Sequence, residues 1–329
     1  MKPALPLLVA LACALATSAC DPKTPKAPAQ TSATSGASAS TAGATAAPDK
    51  KEAPAQARAK PKDGKQEKPL LWQIDGPNGP IYLMGTIHMA FDAERELPGY
   101  VWDRFRASKT FVMETDLNKA QAETLKRMAL PKGQTLETLL GKAHYKKLEE
   151  RLGSVAVMSF QSAKPWFVIT ILLLKMLPEA GAVTPMDGLF HAKAQAAGKK
   201  LAYLEPPEHQ LAILEETMTA ERLKETLDKF DEQKAELQAM IKAYRTGDEV
   251  ALEKLTMKEI NSRKEVFDKL YFGRNRAWAP QIEQYAKEGH VFIAFGLAHM
   301  FGDEGILKLM EKRGFKPYRV NAETAKKAP

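Results

Sequence analysis

Two of the six histidines in this chain stand in the same local context, more than two hundred residues apart. Ile81-Tyr82-Leu83-Met84 leads into Gly85-Thr86-Ile87-His88-Met89, and Val291-Phe292-Ile293-Ala294-Phe295 leads into Gly296-Leu297-Ala298-His299-Met300. In each case an apolar, strand-like run breaks at glycine and presents a histidine three residues later. Glycine lets the backbone turn sharply or approach another group closely, so the following imidazole can project over the end of a sheet. An imidazole in that position is a candidate metal ligand or proton carrier.

The flanking pattern supplies elements that position these histidines. Leu70 to Ile74 reads as a strand, Asp75-Gly76-Pro77-Asn78-Gly79-Pro80 is dense turn chemistry, and Ile81 to Met84 is the return strand of a hairpin. Pro98 then opens a helix through about Ala107, because proline is favoured in a first helical turn. Thr110 to Met113 is a further strand, ending at Glu114-Thr115-Asp116. The C-terminal end repeats the order: after His299 a helix is predicted over about Glu304 to Arg313, closed by Gly314, and Lys316 to Val320 is strand-like. Two βαβ units imply parallel strands, with functional groups collected beyond the strands' carboxyl ends. His88, His299 and Glu114 all fall at such ends.

The middle of the chain reads as mostly helical. Trp166 to Leu177 is strongly apolar but too short to span a bilayer, so it predicts a buried core helix. Gly188 to Gly198 predicts another helix, and Lys200 to Leu204 a strand ending at Glu205. Thr219 to Tyr244 has the period of one long amphipathic helix, followed by a helix pair over roughly Asp248 to Glu288. The expected fold class is α/β (α+β), with two related βαβ halves forming a central mixed sheet and a largely helical middle insertion.

The first 68 residues read differently. Met1-Lys2, the apolar run Leu5 to Leu15 and the small residues before Cys20 have the order of a secretory signal over residues 1–20. Thr17-Ser18-Ala19-Cys20 is lipobox-like, which makes Cys20 the expected lipidation site; ordinary signal-peptidase cleavage is the alternative. Residues 21–68, rich in Ala, Thr, Ser, Pro, Lys and Gln, predict a disordered tether, and residues 324–329 a short disordered tail. The folded domain is expected over residues 69–323. The corresponding location is exported, on the periplasmic face of a bacterial membrane, with Cys20 as the membrane contact.

Composition narrows the chemistry. Cys13 and Cys20 are the only cysteines, so the domain has no disulfide, and any metal site must use His, Asp and Glu. The tether holds nine Lys or Arg against five Asp or Glu, Lys2 adds one charge, and of the total +8 only +3 remains for residues 69–329. A domain so nearly neutral is not expected to bind nucleic acid. Neither a phosphate loop nor a dinucleotide fingerprint is present. There is no G-x-S-x-G elbow, and no thiol in the domain, to supply a serine or cysteine nucleophile.

Leu71-Trp72, Tyr82-Leu83-Met84-Gly85-Thr86-Ile87-His88, Met113-Glu114-Thr115-Asp116, Arg274-Asn275 and Gly296-Leu297-Ala298-His299-Met300-Phe301-Gly302, in that order, resemble the TraB/PrgY/GumN family. Its relatives include the Tiki proteins, metal-dependent proteases of animals. The resemblance covers about residues 69 to 321. It implies a site between two related αβ halves in which His88, His299 and Glu114 hold a divalent transition metal, Zn²⁺, Mn²⁺ or Co²⁺. Asp187 and Glu205 match recurring acidic positions, and Arg274-Asn275 a recurring Arg-Asn pair.

Each residue also has a plainer role. The histidines can cap a sheet edge, Glu114 can be a surface carboxylate beside Asp116, and Asp187, before a predicted helix, can be its N-cap. Glu205 is read as a general base or a support for a ligand. Arg274 is read as an oxyanion or carboxylate binder, with a helix-surface ion pair as the alternative. His144, His191, His209 and His290 read as solvated or locally bonded, and Arg276 as structural. The leading expectation is a membrane-tethered, metal-dependent, peptidase-like hydrolase acting on a peptide or protein. Metal-free hydrolysis and non-catalytic peptide sequestration are the alternatives; the family resemblance implies a link to inhibition of peptide pheromone signalling, which sequestration would serve without turnover. The motifs select no oligomeric state.

Overall fold

The computed structural model describes residue 66 and residues 68–177 and 184–326. The signal segment, Cys20 and nearly all of the tether lie outside the described residues, as do residues 327–329. Of the first described residues, Gln66 is buried and the Lys68 carbonyl accepts from the Arg319 guanidinium. Ala322–Lys326 forms a short terminal helix.

The core is a six-stranded mixed sheet. Its strands are β1 (Leu71–Gly76), β2 (Gly79–Thr86), β3 (Thr110–Met113), β4 (Lys200–Tyr203), β5 (Val291–Gly296) and β6 (Tyr318–Arg319), in the spatial order β4-β3-β5-β2-β1-β6. The predicted hairpin is present: β1 and β2 pair antiparallel from Leu71 opposite Met84 to Gly76 opposite Gly79, around Pro77-Asn78. β2, β5, β3 and β4 run parallel, and β6 pairs antiparallel with β1. The parallel strands are apolar almost throughout, as strands covered on both faces must be.

Among the described residues the links between the parallel strands are mainly helical. Gly99–Ala107, with Pro98 as its N-cap, connects β2 to β3. Helices between Leu117 and Ala196 connect β3 to β4, and those between Pro207 and Glu288 connect β4 to β5. Ile306–Lys312 carries the chain from β5 to β6. Because β6 is antiparallel to β1, and β1 to β2, β6 runs in the direction of β5 but lies at the far edge of the sheet. One face of the sheet is sealed by an aromatic cluster in which Phe292 of β5 meets Phe105 at 5.3 Å and Phe190 at 5.4 Å between ring centroids.

Pro165–Met176 is the buried core helix expected from its apolar run, with Trp166, Val168, Ile169, Leu172, Leu173 and Met176 all buried. The single long helix expected over Thr219 to Tyr244 is instead two, Ala220–Asp228 and Phe230–Thr246, broken at Lys229 with φ −111° and ψ 22°. The expected final pair is longer than a pair. Glu249–Ser262 is followed by the short turn Lys264–Phe267, a π-helical turn Asp268–Phe272, and Gly273–Glu288. π-Turns within helices are uncommon and concentrate at functional sites. This one delivers Arg274 and Asn275. Among the described residues no helix is long and apolar enough to cross a membrane.

Candidate functional site

The two Gly-x-x-His segments lie side by side because β2 and β5 are parallel neighbours, with Thr86 opposite Gly296. Close approach explains the first glycine. A Cβ at Gly85 would stand 2.9 Å from the Met300 sulfur, so the methionine after the second histidine packs onto the glycine of the first motif. On the other side of β5, pairing between β3 and β4 continues past the strands: Glu205 N–H donates to the Glu114 carbonyl at 3.0 Å. Glu114 and Glu205 are therefore set adjacent by backbone register. His88, Glu114, Glu205 and His299 all gather at the carboxyl ends of the four parallel strands, and all are buried.

Arg274 binds this group together. Its Nη2 donates to Glu114 Oε2 at 2.6 Å, and its Nε to Glu205 Oε1 at 2.8 Å. Its Nη1 donates to the Leu270 carbonyl at 2.9 Å, inside the π-turn, and lies 3.1 Å from His299 Nε2. The guanidinium also sits 4.6 Å over the Trp278 ring, one helical turn on. Every face of the cation is occupied by protein. Glu114 is equally saturated, accepting from Gly296 N–H at 2.7 Å and from Gln210 Nε2 at 3.0 Å.

The histidines differ in state. His299 Nδ1 lies 2.6 Å from Asn275 Oδ1, and Trp278 covers its ring at 4.4 Å between centroids. Burial first, and then the Arg274 charge, push its pKa down to about 3. A neutral ring with Nδ1–H donating to Asn275 leaves Nε2 as the acceptor facing Arg274. At His88, burial opposes the charge, but the Asp187 carboxylate against Nδ1, with Glu114 nearby, outweighs it, so the pKa is raised. His88 Nδ1 lies against Asp187 Oδ2, and Nε2 has no hydrogen-bond partner among the described residues. At Glu114 burial works against ionisation, yet Arg274 above all, with His88 and the Gly296 N–H, holds its pKa below the usual carboxylate range.

Asp187 does not cap its helix. Pro185 is the N-cap of Met186–Ala196, and Asp187, in the first turn, instead accepts from Thr86 Oγ1 at 3.0 Å and faces His88. Arg276 pairs with Asp268 and Glu304 at the surface, as expected of a structural residue. A groove of about 1370 Å³, lined among others by Glu216, Thr219, Arg263 and Lys269, opens in the helical layer and shares no residue with this cluster.

A family model for TraB/PrgY/gumN matches residues 70–319, the whole sheet and everything between its strands. The chain belongs to the TraB/PrgY/gumN family. It is 24% identical over 333 residues to a Danio rerio protein named Metalloprotease TIKI2, a match covering 78% of this chain and 62% of that relative. The chain thus spans less than two thirds of that relative's length. It is also 22% identical over 273 residues to an uncharacterized protein of Treponema pallidum, covering 74% and 80% of the two chains. No solved structure matches it.

In this TraB/PrgY/gumN chain the donors His88, Glu114 and His299 are of the types that hold zinc, manganese or cobalt. As they stand they do not fit a metal ion. Arg274 engages both the Glu114 carboxylate and the His299 Nε2 acceptor that a metal would need. Among the described residues no three His, Cys, Asp or Glu side chains are grouped to hold one. His299 Nε2 and Glu114 Oε1 are 3.9 Å apart.

Four participants were not singled out in the sequence. Gln210 reaches Glu114, and His209, expected to be solvated or locally bonded, is bonded to Glu205. Trp278 covers both Arg274 and His299, and its spacing of four from Arg274 on one helix is a signal that could have found it. Tyr244 Oη donates to the Gly85 carbonyl at 2.8 Å, tying the Phe230–Thr246 helix to the first histidine motif. Tyr244→Phe leaves that buried carbonyl without its donor, and is expected to cost about 1–3 kcal/mol in urea unfolding.

Proposed function

We propose that this chain is a hydrolase that cleaves peptide bonds at the polar cluster beyond the carboxyl ends of β2, β5, β3 and β4. The observation that carries the reading is His88: a buried imidazole with Nδ1 against the Asp187 carboxylate and with an Nε2 that has no hydrogen-bond partner among the described residues, close enough to Arg274 to feel its charge. Amide hydrolysis needs a proton for the departing amine and a positive field for the oxyanion. His88, its proton held by the neighbouring carboxylates, is suited to the first task. The Arg274 charge, desolvated and immobile, supplies the second as a field, since its N–H groups are committed to Glu114, Glu205, Leu270 and His299. Asp187 and Thr86 orient His88; Asn275 fixes the orientation of the His299 ring, which burial and Arg274 keep neutral.

Metal dependence is the finer form of this proposal. It rests on the name of the Danio rerio relative, and it requires Arg274 to release Glu114 and His299, which it engages here. Export and anchoring through Cys20 belong to the same proposal, and rest on the order of residues 1–20.

The test is cleavage of a defined mixture of synthetic peptides, read by mass spectrometry, with protein purified without a histidine tag. Wild type is expected to cleave, and a still-folded His88→Ala variant to be slower by about 10²–10⁴-fold. Intact peptides after reconstitution with Zn²⁺, Mn²⁺ or Co²⁺ would overturn the reading in favour of peptide sequestration. Elemental analysis of the same samples separates the two forms. About one transition-metal ion per chain, lost in a His88→Ala, His299→Ala double variant, establishes the metal form; cleavage with none bound establishes the metal-free one.

A further inference from the structure

The histidines of the two Gly-x-x-His motifs are shielded from solvent, at 7% exposure for His88 and 1% for His299. A third histidine joins the same network from outside. The His209 side chain is 51% exposed, and its Nδ1 lies 2.9 Å from Oε2 of Glu205, whose own side chain is 5% exposed. Glu205 is pinned from the other side, where Arg274 Nε and Nη2 both donate to Oε1 at 2.8 and 2.5 Å. With one oxygen held by a fixed cation, the other is aimed at His209. In the neutral ring Nδ1–H donates to Glu205, leaving Nε2 as the acceptor on the opposite edge.

The segment carrying His209 is stiff. Pro206 and Pro207 start the Pro207–Thr217 helix with fixed φ, and the next residue after His209, Gln210, is tied to Glu114. An imidazole oriented by a carboxylate that is itself held by a third group is the arrangement of an activated general base. An ordinary surface ion pair of residues four apart does not need a buried carboxylate that is already neutralised by arginine.

We propose, resting on the hydrolase reading above, that His209 is a catalytic residue that contacts the substrate. Its Nε2 takes a proton from the attacking water as the oxygen–carbon bond forms. When the tetrahedral intermediate collapses and the carbon–nitrogen bond breaks, His88 protonates the departing amine; His209 releases its proton to the medium, and His88 regains one from it. Glu205 and Arg274 are its positioning residues.

The experiment uses the full chain and the best-cleaved peptide of the mixture above, with His209→Ala and His209→Gln. Glutamine keeps a polar partner for Glu205 but cannot carry the proton. Both variants are expected to lose about 10²–10⁴-fold in kcat with KM within about threefold of wild type, and to unfold at the wild-type temperature, since the position is half-exposed. Retention of more than a tenth of kcat in either variant overturns the assignment; a recovery confined to His209→Gln reduces His209 to a polar support for Glu205. If wild type cleaves no peptide, the hydrolase reading itself fails and this assignment goes with it. Active wild type with active variants rejects His209 alone.

Discussion

Replacing Arg274 with methionine is expected to cost about 3–5 kcal/mol of folding stability, the range for removing one partner of a buried ionic network. The reason is what would be left behind. Glu114 and Glu205 are both buried, and Arg274 is the cation that donates to each. Leu270 O and His299 Nε2 would lose the same donor group, and Trp278 its cation. Methionine fills much of the volume but returns none of the charge. Arg274→Lys keeps the charge and loses the forked geometry that reaches two carboxylates at once, so it is expected to fall between the two. The measurement is urea unfolding at neutral pH. A companion variant separates charge from packing: adding Glu114→Gln and Glu205→Gln to Arg274→Met removes the stranded anions and is expected to recover at least half of the loss. An Arg274→Met protein within about 1 kcal/mol of wild type would mean that both carboxylates are neutral in the native state, contrary to the lowered pKa of Glu114.

The parts of this arrangement that sequence could carry are those written locally. The strands before Gly85 and Gly296 announce themselves by apolar runs and turn residues, and parallel pairing of β2 with β5 then brings His88 and His299 together. Pro98 marks its helix, and the run from Trp166 its buried one. The break at Lys229 was not legible because no glycine or proline marks it: the apolar period runs across a backbone that is non-helical at one residue. Asp187 looked like a cap because aspartate before a helix usually is one; Pro185 takes that place, and the carboxylate turns inward to Thr86 and His88. The depth of the Arg274 network was hidden for a different reason. Its partners lie 69 and 160 residues away in sequence, and they meet only because β3 and β4 align Glu114 with Glu205. Spacing alone does not say that a guanidinium will fill the place between a histidine and a glutamate where donor types suggest a metal.

His299 should make the protein measurably weaker in mild acid. Its pKa is pushed from 6.5 to about 3, by burial first and by Arg274 second. Above pH 6.5 the ring is neutral in both folded and unfolded chains, and the native state carries its full advantage. As pH falls below 6.5 the unfolded chain gains a proton that the native state does not, so stability drops by about 1.4 kcal/mol per pH unit until the native ring titrates. Between pH 6.5 and 4.5 the expected loss is about 2–3 kcal/mol, most readily seen as a shift of the urea midpoint at unchanged slope. The window is chosen by sign. His88, with its pKa raised because Asp187 outweighs burial, gives stability that is complete below pH 6.5 and fades only as pH rises. Glu114, held low by Arg274 against the cost of burial, loses its contribution only below its ordinary 4.5. His191, whose pKa burial lowers against the pull of Asp116, shares the sign of His299, so wild type must be compared with His299→Gln. Glutamine offers Asn275 and Arg274 a donor and an acceptor but takes up no proton, and the variant is expected to lose the larger part of the pH 6.5 to 4.5 slope. Equal slopes in the two proteins would mean that His299 is not the buried neutral imidazole on which the electrostatics of this site depend.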